Sequence, residues 1–380
     1  MRLPCCLRNR ATVRVAPTDN GEYMFFLTPK DISVGLDIGS HSIKLIKLKR
    51  GKNIKIINAE KILMPQDLIR GSFINENIRD QKVFTEKIKK LFVSAGVSDK
   101  GVAVSIPDTS ARSIFFELEN VPDNKEDAKE LIKWKLKKDI DSNLDKNFAI
   151  DYQILKKETK DKKNLYKLFV VLINKKILAE YEESLSQIGL KTVSVALSSF
   201  GLVNFINYIE KRSGNSLIVN LGHQVTTLLI LKDQKLDFMR SIDIGGRDFI
   251  SRIKEHFSLN YEEAEKKKLE DIFFPESIDI SKLIEMSLLD NFSSIKSVQG
   301  NLVREISLSL RHYENKTGET AIKNILLAGG TAGFTNLNTF LKNIFNLDTF
   351  KIDQLEKIDL VQNIAPGDIS TYASAIGSLI

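Results

Sequence analysis

Cysteine is almost missing from this chain of 380 residues: its two copies, Cys5 and Cys6, are adjacent. Neither has a distant partner with which to close a loop, so disulfides do not hold the fold, and the chain reads as belonging to a reducing, cytoplasmic setting. Long apolar runs are missing as well. The longest, such as 168–173 and 228–231, have the length of strands, well short of the roughly 18–20 residues that span a bilayer. The N-terminal stretch has basic and small residues but no apolar segment of a secretory signal. Residues 1–30 read as a disordered tail, with paired acylation of Cys5 and Cys6 beside Arg2, Arg8 and Arg10 as the alternative. Nor does charge of one sign gather in blocks. The net charge of +7 comes from scattered lysines, many alternating with acids, as in 156–163 and 262–270. Such runs are solvated faces, whereas a nucleic-acid surface needs an unmixed basic patch with aromatics interleaved.

What is present is 42% hydrophobic residues, enough for the cores of two or more domains. Strands and helices alternate. A hairpin at 33–48 and a strand at 55–62 precede a helix at 81–95 and a strand at 102–106. Ile132, Leu136 and Ile140 recur at four-residue spacing beside Trp134 and predict an amphipathic helix over 127–140. Strands at 151–155 and 166–173 flank a lysine-rich stretch, 156–164, expected as an exposed hairpin loop. A helix at 178–187 ended by Gly189, a strand at 192–196 and a helix at 200–209 complete the first half. The second half opens at Ser216 with another hairpin, adds a strand at 236–242, and turns at Gly245 and Gly246 into a helix at 248–257. A charged helical region over 261–313, a strand at 325–328 and a helix at 337–344 follow. Two units that each begin with a hairpin and end with helices are an internal duplication, and a ligand belongs in the cleft between them.

Three glycine turns carry the chemistry. The first, running from Asp37 through Gly39, Ser40 and Ser42 to Lys44, joins two apolar strands. Gly39 lets a ligand come close to the backbone, and the turn amides can point at an anion. Asp37 suits a magnesium ion, directly or through water, and Lys44 suits a phosphate. A looser copy spans 217–227, with Gly222 at its tip. The third, Gly329-Gly330-Thr331, follows an apolar strand and precedes a helix whose N-terminus carries roughly half a positive charge. It offers a flat backbone surface to a purine or ribose. Each turn taken singly reads equally well as a tight connection. All three in this order and at this separation favour a nucleotide gripped from both sides.

These turns, together with Ile242-Asp243-Ile244-Gly245-Gly246-Arg247-Asp248 and with Tyr261-Glu262-Glu263-Ala264-Glu265 and Lys268, resemble the motifs of the actin, Hsp70 and sugar-kinase superfamily. Within it they are most similar to the PilM family of actin-like proteins of type IV pilus assembly, relatives of the cell-division protein FtsA. The resemblance covers 32–380. It implies an α/β, actin-like ATPase (ribonuclease H-like) fold of two duplicated domains around a nucleotide cleft. Domain 1A would take 31–110, 196–212 and 365–380; an inserted, partner-binding subdomain 1C, 111–195; domain 2A, 213–254 and 321–364; subdomain 2B, 255–320. It implies ATP and Mg2+ as ligands. Asp37 would organise the magnesium, while Gly39, Ser40, Ser42 and Lys44 hold the β and γ phosphates. Gly222, His223 and Gln224 would form the opposite phosphate turn, Glu265 and Lys268 approach the ribose or adenine, and Gly329, Gly330 and Thr331 line the base. The implied partner is the N-terminal cytoplasmic peptide of a PilN-like bitopic membrane protein, received in the groove beside subdomain 1C. The pilus motor ATPase and a second copy of the chain are further implied contacts, and the inner face of the membrane is reached only through partners. Trp134 and the stripe around Leu136 are expected in the core of the inserted subdomain.

Two departures bear on turnover. Asn220 stands where the family places an aspartate that positions the metal's water shell. At an effective dielectric near 20, a pair of unit charges about 4 Å apart is worth roughly 4 kcal/mol, so its loss weakens metal positioning. Ala196-Leu197-Ser198-Ser199-Phe200 keeps no acid or base to orient an attacking water. ATP is therefore expected to bind, with hydrolysis slow or absent. His41 and His223 are expected as satisfied turn histidines. Alternatives on the same fold are an FtsA-like division protein, expected to need a membrane-binding helix after the last packed one, and a sugar or metabolite kinase, which needs an aspartate aimed at a substrate hydroxyl. A chaperone-like ATPase would need a peptide-binding domain for which the sequence offers no room.

Overall fold

The computed structural model describes residues 16–17, 23–24, 32–137, 144–160, 163–209, 214–271, 274, 294–318, 322–352, 358–359, 364 and 368–380. Cys5, Cys6 and most of the expected tail lie outside these, as does 275–293 of the expected helical region. Within the tail, β1 (Ala16–Pro17) and β2 (Tyr23–Met24) form a two-residue antiparallel ladder.

Continuous apolar runs make strands that are buried on both faces. β3 (Val34–Ile38) pairs antiparallel with β4 (Ser42–Lys49), and β4 with β5 (Ile54–Leu63). On its other side β3 takes β6 (Gly101–Ile106) in parallel, and β6 takes β10 (Lys191–Leu197) in parallel. The second half repeats this plan. β11 (Asn215–Leu221) pairs antiparallel with β12 (Thr226–Lys232), and β12 with β13 (Lys235–Ile242). β14 (Ile322–Ala328) joins β11 in parallel, and β15 (Asp348–Lys351) joins β14 in parallel. The orders β5-β4-β3-β6-β10 and β13-β12-β11-β14-β15 match strand for strand and direction for direction. The duplication expected from the two hairpins is thus present in topology, and β16 (Ile358–Asp359) adds an edge to the first sheet.

Two helices fill the space between the sheets. From α5 (Ser198–Ile209), Leu202, Val203 and Phe205 share one core with Ala373, Ala375 and Ile376 of α10 (Ile369–Gly377). Leu36, Ile46 and Val104 of the first sheet and Ile218, Leu229 and Leu326 of the second enter the same core. The helices cross where neither has a side chain: a Cβ on Gly201 would strike the Ser374 carbonyl, and one on Gly377 would strike the Gly201 carbonyl. Asn204 fastens the crossing by donating to the Gly377 carbonyl at 3.1 Å. Leu217, Val219, Leu228 and Ile230, alternating with the interlobe set, face a second core built on α6 (Gly246–Phe257), α8 (Ile295–Thr317) and α9 (Leu337–Phe345).

A third layer is inserted after β6. β7 (Ala111–Glu119), β8 (Phe148–Lys160) and β9 (Lys163–Asn174) form a sheet in the order β7-β9-β8, covered by α2 (Lys125–Lys137). Leu168, Val170 and Leu172 of β9 join Ala128, Ile132 and Leu136 of α2 in a separate core, while Phe169, Val171 and Ile173 point back to the first. The insert differs from expectation in four ways. It carries its own sheet over 111–174 rather than 111–195: Leu178, Tyr181 and Leu185 of α4 (Lys175–Ser186) pack into the first core and β10 lies in the first sheet. The lysine-rich stretch 156–164 is paired almost to its tip, with Lys160 opposite Lys163, because strands projecting into water tolerate charge on both faces. β7 was not anticipated. Trp134 is 58% exposed, not core, and Lys135 lies over its ring.

No helix among the described residues is long and apolar enough to cross a membrane. The crossing of α5 and α10 makes a test of the interlobe core. Gly201→Ala is expected to lower stability by about 1–3 kcal/mol or more, since a methyl has no space there. Urea unfolding measures it, and an unchanged midpoint would contradict the packing described.

Candidate functional site

The paired sheets bring equivalent turns face to face. Gly39 N donates to Ser42 O at 3.1 Å, and Gly222 N donates to Val225 O at 3.0 Å, so both hairpins close with the same backbone bond. The third turn is tied to the second. Gly329 has φ +91°, a conformation that favours glycine, and a Cβ there would meet Leu221 O and come within 2.8 Å of Asn220 Oδ1. Thr331 N donates to Leu221 O at 3.2 Å and Thr331 Oγ1 to Gly222 O at 3.2 Å. The start of α6 adds Gly246 N to Gly222 O at 3.0 Å and Arg247 N to His223 O at 2.8 Å.

Glu265 and Lys268 arrive on α7 (Tyr261–Asp271). Its start is fixed by reciprocal bonds between Asn260 and Glu263: each backbone N–H donates to the other's side chain at 3.0 Å. Three residues apart, Glu265 and Lys268 share a helix face. That face is turned inward, not to solvent: Lys268 is 3% exposed and donates to Glu265 Oε1 at 2.7 Å.

The residues expected to hold the nucleotide and metal, together with Asn220, line one cleft of about 250 Å3 between the lobes: Asp37, Gly39, Ser40, Ser42, Lys44, Asn220, Gly222, His223, Gln224, Glu265, Lys268, Gly329, Gly330 and Thr331. Gly330 faces open space. Lys44 and Lys268 are paired within the cleft. Lys44 donates to Asp37 Oδ2 at 2.9 Å, and Ser198 donates to Asp37 Oδ1 at 2.8 Å. Gln224 spans the lobes, donating to Ile69 O at 3.2 Å.

His41 and His223 stack across the cleft with ring centroids 4.7 Å apart. Burial lowers the basicity of both. His223 is pushed down to about 3, with His41, Lys268 and Arg247 adding to the effect, so the stack consists of neutral rings at ordinary pH. His223 is only half satisfied: Nε2 meets the Tyr261 hydroxyl at 3.2 Å, while Nδ1 is buried without a partner. This corrects the expectation of satisfied turn histidines.

The sequence missed Asp108. Ser198 and Ser199 have no carboxylate beside them in the chain, but the fold brings Asp108 to them from the end of β6. Asp108 accepts from Ser199 N at 3.0 Å, from Ser199 Oγ at 2.5 Å and from Thr227 Oγ1, across the lobes, at 2.8 Å. Burial raises its pKa; these donors pull the other way, and Asp37 adds to the rise. Its position directly after an apolar strand, at the carboxyl end of a parallel pair, is a signal that could have found it. Lys61, Thr109, Asp368, Ser370 and Ser374 also line the cleft and were not anticipated.

The sequence profile of the family described as type IV pilus assembly protein PilM matches residues 35–377. The chain is 21% identical to the cell division protein FtsA of Staphylococcus epidermidis over 377 residues, covering 90% of this chain and 78% of that one. Among solved structures, a PilM–PilN type IV pilus biogenesis complex superposes with a TM-score of 0.76 at 17% identity, covering 92% of this chain and 98% of that one. The MreB5 of Spiroplasma citri bound to ADP gives 0.48 at 14% identity, with coverage of 91% and 94%. The family match and the superposition on the PilM–PilN complex agree with the α/β, actin-like fold expected from the sequence.

Thr227 tests how far Asp108 ties the lobes together. Thr227→Val is expected to destabilise the protein by about 1–3 kcal/mol, because a buried carboxylate loses a donor that water cannot replace. Thermal and urea unfolding read this directly. A change within a few tenths of a kcal/mol would mean that the interlobe bond contributes nothing.

Proposed function

The chain belongs to the family of type IV pilus assembly protein PilM, an actin-like protein family, and from that premise we propose that it is a nucleotide-dependent scaffold. In this reading Mg-ATP binds between the lobes and holds them closed, with weak or no hydrolysis. The closed form then docks the N-terminal peptide of a PilN-like membrane protein and stands at the inner face of the membrane through that partner.

One observation carries the proposal: residues from three glycine turns more than 100 positions apart in the chain meet in one cleft, with a cation and a carboxylate at its floor. Arriving phosphates would draw Lys44 away from Asp37. The freed carboxylate suits magnesium, which takes one or two carboxylates and fills its shell with phosphate oxygens and water. Asp37 is 5% exposed and both its oxygens already accept hydrogen bonds, so it is oriented for that contact. Gly39, Ser40 and Ser42 would offer donors from one side, and Gly222, His223 and Gln224 from the other. Gly329, Gly330 and Thr331 would present a flat edge to the base, with Glu265 and Lys268 toward the ribose or adenine. Opening must come first, because the His41–His223 stack and the Gln224–Ile69 bond cross the space, and the cleft is smaller than the roughly 300–1,000 Å3 of ligand pockets.

Weak turnover follows from two features. Asn220 has no charge to hold a metal's water shell, and Asp108 is already engaged by three donors from Ser199 and Thr227.

Calorimetry with Mg-ATP is expected to show one site per chain, weakened about tenfold or more by Asp37→Ala or Lys44→Ala, the loss expected for a charge-assisted contact. Turnover is expected to be near background and to rise in Asn220→Asp. Absence of ATP binding would overturn the nucleotide reading, and brisk turnover in the natural protein would overturn the argument from Asn220. Capture of a PilN-type N-terminal peptide tests the docking role separately.

A further inference from the structure

We propose that His41, His223 and Glu265 form a transition-metal site of the zinc class that clasps the two lobes across the cleft. It does not rest on the nucleotide reading. His41 comes from the first hairpin turn, His223 from the second and Glu265 from α7, so an ion held by all three joins the two halves of the duplication.

The geometry supports a common ligand. One coordinating atom from each residue lies within 4.8 Å of the other two. His41 Nε2 and Glu265 Oε1 are 3.4 Å apart. A tetrahedral zinc with bonds of about 2.1 Å spaces its ligands about 3.4 Å apart, so this pair already stands at coordination distance.

Two of the three residues have unmet bonding capacity. His223 Nδ1 and Glu265 Oε2 are both buried without a hydrogen-bond partner. A buried polar atom left unpaired is costly, and an ion taking either one removes that cost. Tyr261 lies against the remaining nitrogen of His223, an outer contact of the kind that orients a metal ligand, whereas Lys268 donates to Glu265 Oε1 and must give up that oxygen or leave the ion to Oε2. Two imidazoles and one carboxylate favour zinc over magnesium, which prefers oxygen throughout, and three protein ligands leave a fourth position for water. Lys44, Lys61 and Lys268 line the same cleft. Their charge opposes a cation, so the bound ion is exchangeable rather than a permanent staple.

Zinc chloride titrated into nucleotide-free, tag-free protein tests the site. The Cys5→Ser, Cys6→Ser background is used, because adjacent thiols bind zinc themselves. Calorimetry is expected to show one ion per chain, with affinity falling about tenfold or more in His41→Ala and in His223→Ala. Glu265→Gln, nearly identical in shape, is expected to show the same loss and serves if a histidine variant fails to fold. Cobalt in place of zinc should give the visible absorption of imidazole ligation, lost in the same variants. No saturable zinc binding, or binding unchanged by these substitutions, would overturn the site and leave His41 and His223 as a packing contact. Loss of ATP binding alone would leave this result untouched.

Discussion

The crossing of α5 and α10 is the constraint on which the rest of the structure depends. The two sheets are each complete, and what relates them is a helix pair packed so closely that Gly201 and Gly377 have no room for a side chain. From that crossing the strand ends of both halves take their positions. β3 and β11 hold equivalent places in the two sheets, and their closing turns, each sealed by a glycine amide and the carbonyl three residues on, line one cleft. A duplicated sheet alone would give two unrelated hairpins. Close helix packing makes them a pair.

The electrostatics of the cleft follow from this convergence. Lys44 with Asp37, Lys268 with Glu265 through one carboxylate oxygen, and Asp108 with the hydroxyls of Ser199 and Thr227 are internal partnerships of the closed cleft. Several are made by one lobe alone, such as Lys44 with Asp37. Others, Thr227 with Asp108 and His41 with Glu265, cross between lobes. A ligand that takes over the partners of the first kind leaves the second kind to set how far the lobes part. The inserted layer shares in this coupling, since Lys167 of β9 reaches Asp237 of β13, which also accepts from Tyr313. A link therefore runs from the second lobe to the layer where the partner peptide is proposed to dock.

Much of this was legible in the sequence because it is local. The hairpins, the glycine turns and the apolar runs are set by neighbouring residues, and Asp37, Gly39, Lys44, Gly222 and the run Gly329 to Thr331 could be named from turn chemistry, whereas His223 and Gln224 came only with the family resemblance. Glu265 and Lys268 were legible only as a helix face; whether that face met water or the cleft depended on how α7 packs. Asp108 was missed because its meaning lies in Ser199 and Thr227, 91 and 119 positions away. The paired lysine strands were misread because charge reports exposure to water, and exposed hairpins are as wet as loops. The end of the insert was placed too late for a related reason: α4 is amphipathic like any surface helix, and the sequence does not say which core its apolar face will join.

Hydrogen exchange of the nucleotide-free protein and of the protein with saturating Mg-ATP tests the convergence most directly. Joint gain of protection at 38–44, 220–226 and 329–332, turns that meet only in the folded cleft, is the predicted result. Protection at one turn without the others, or at none, would contradict a single ligand site shared by both lobes.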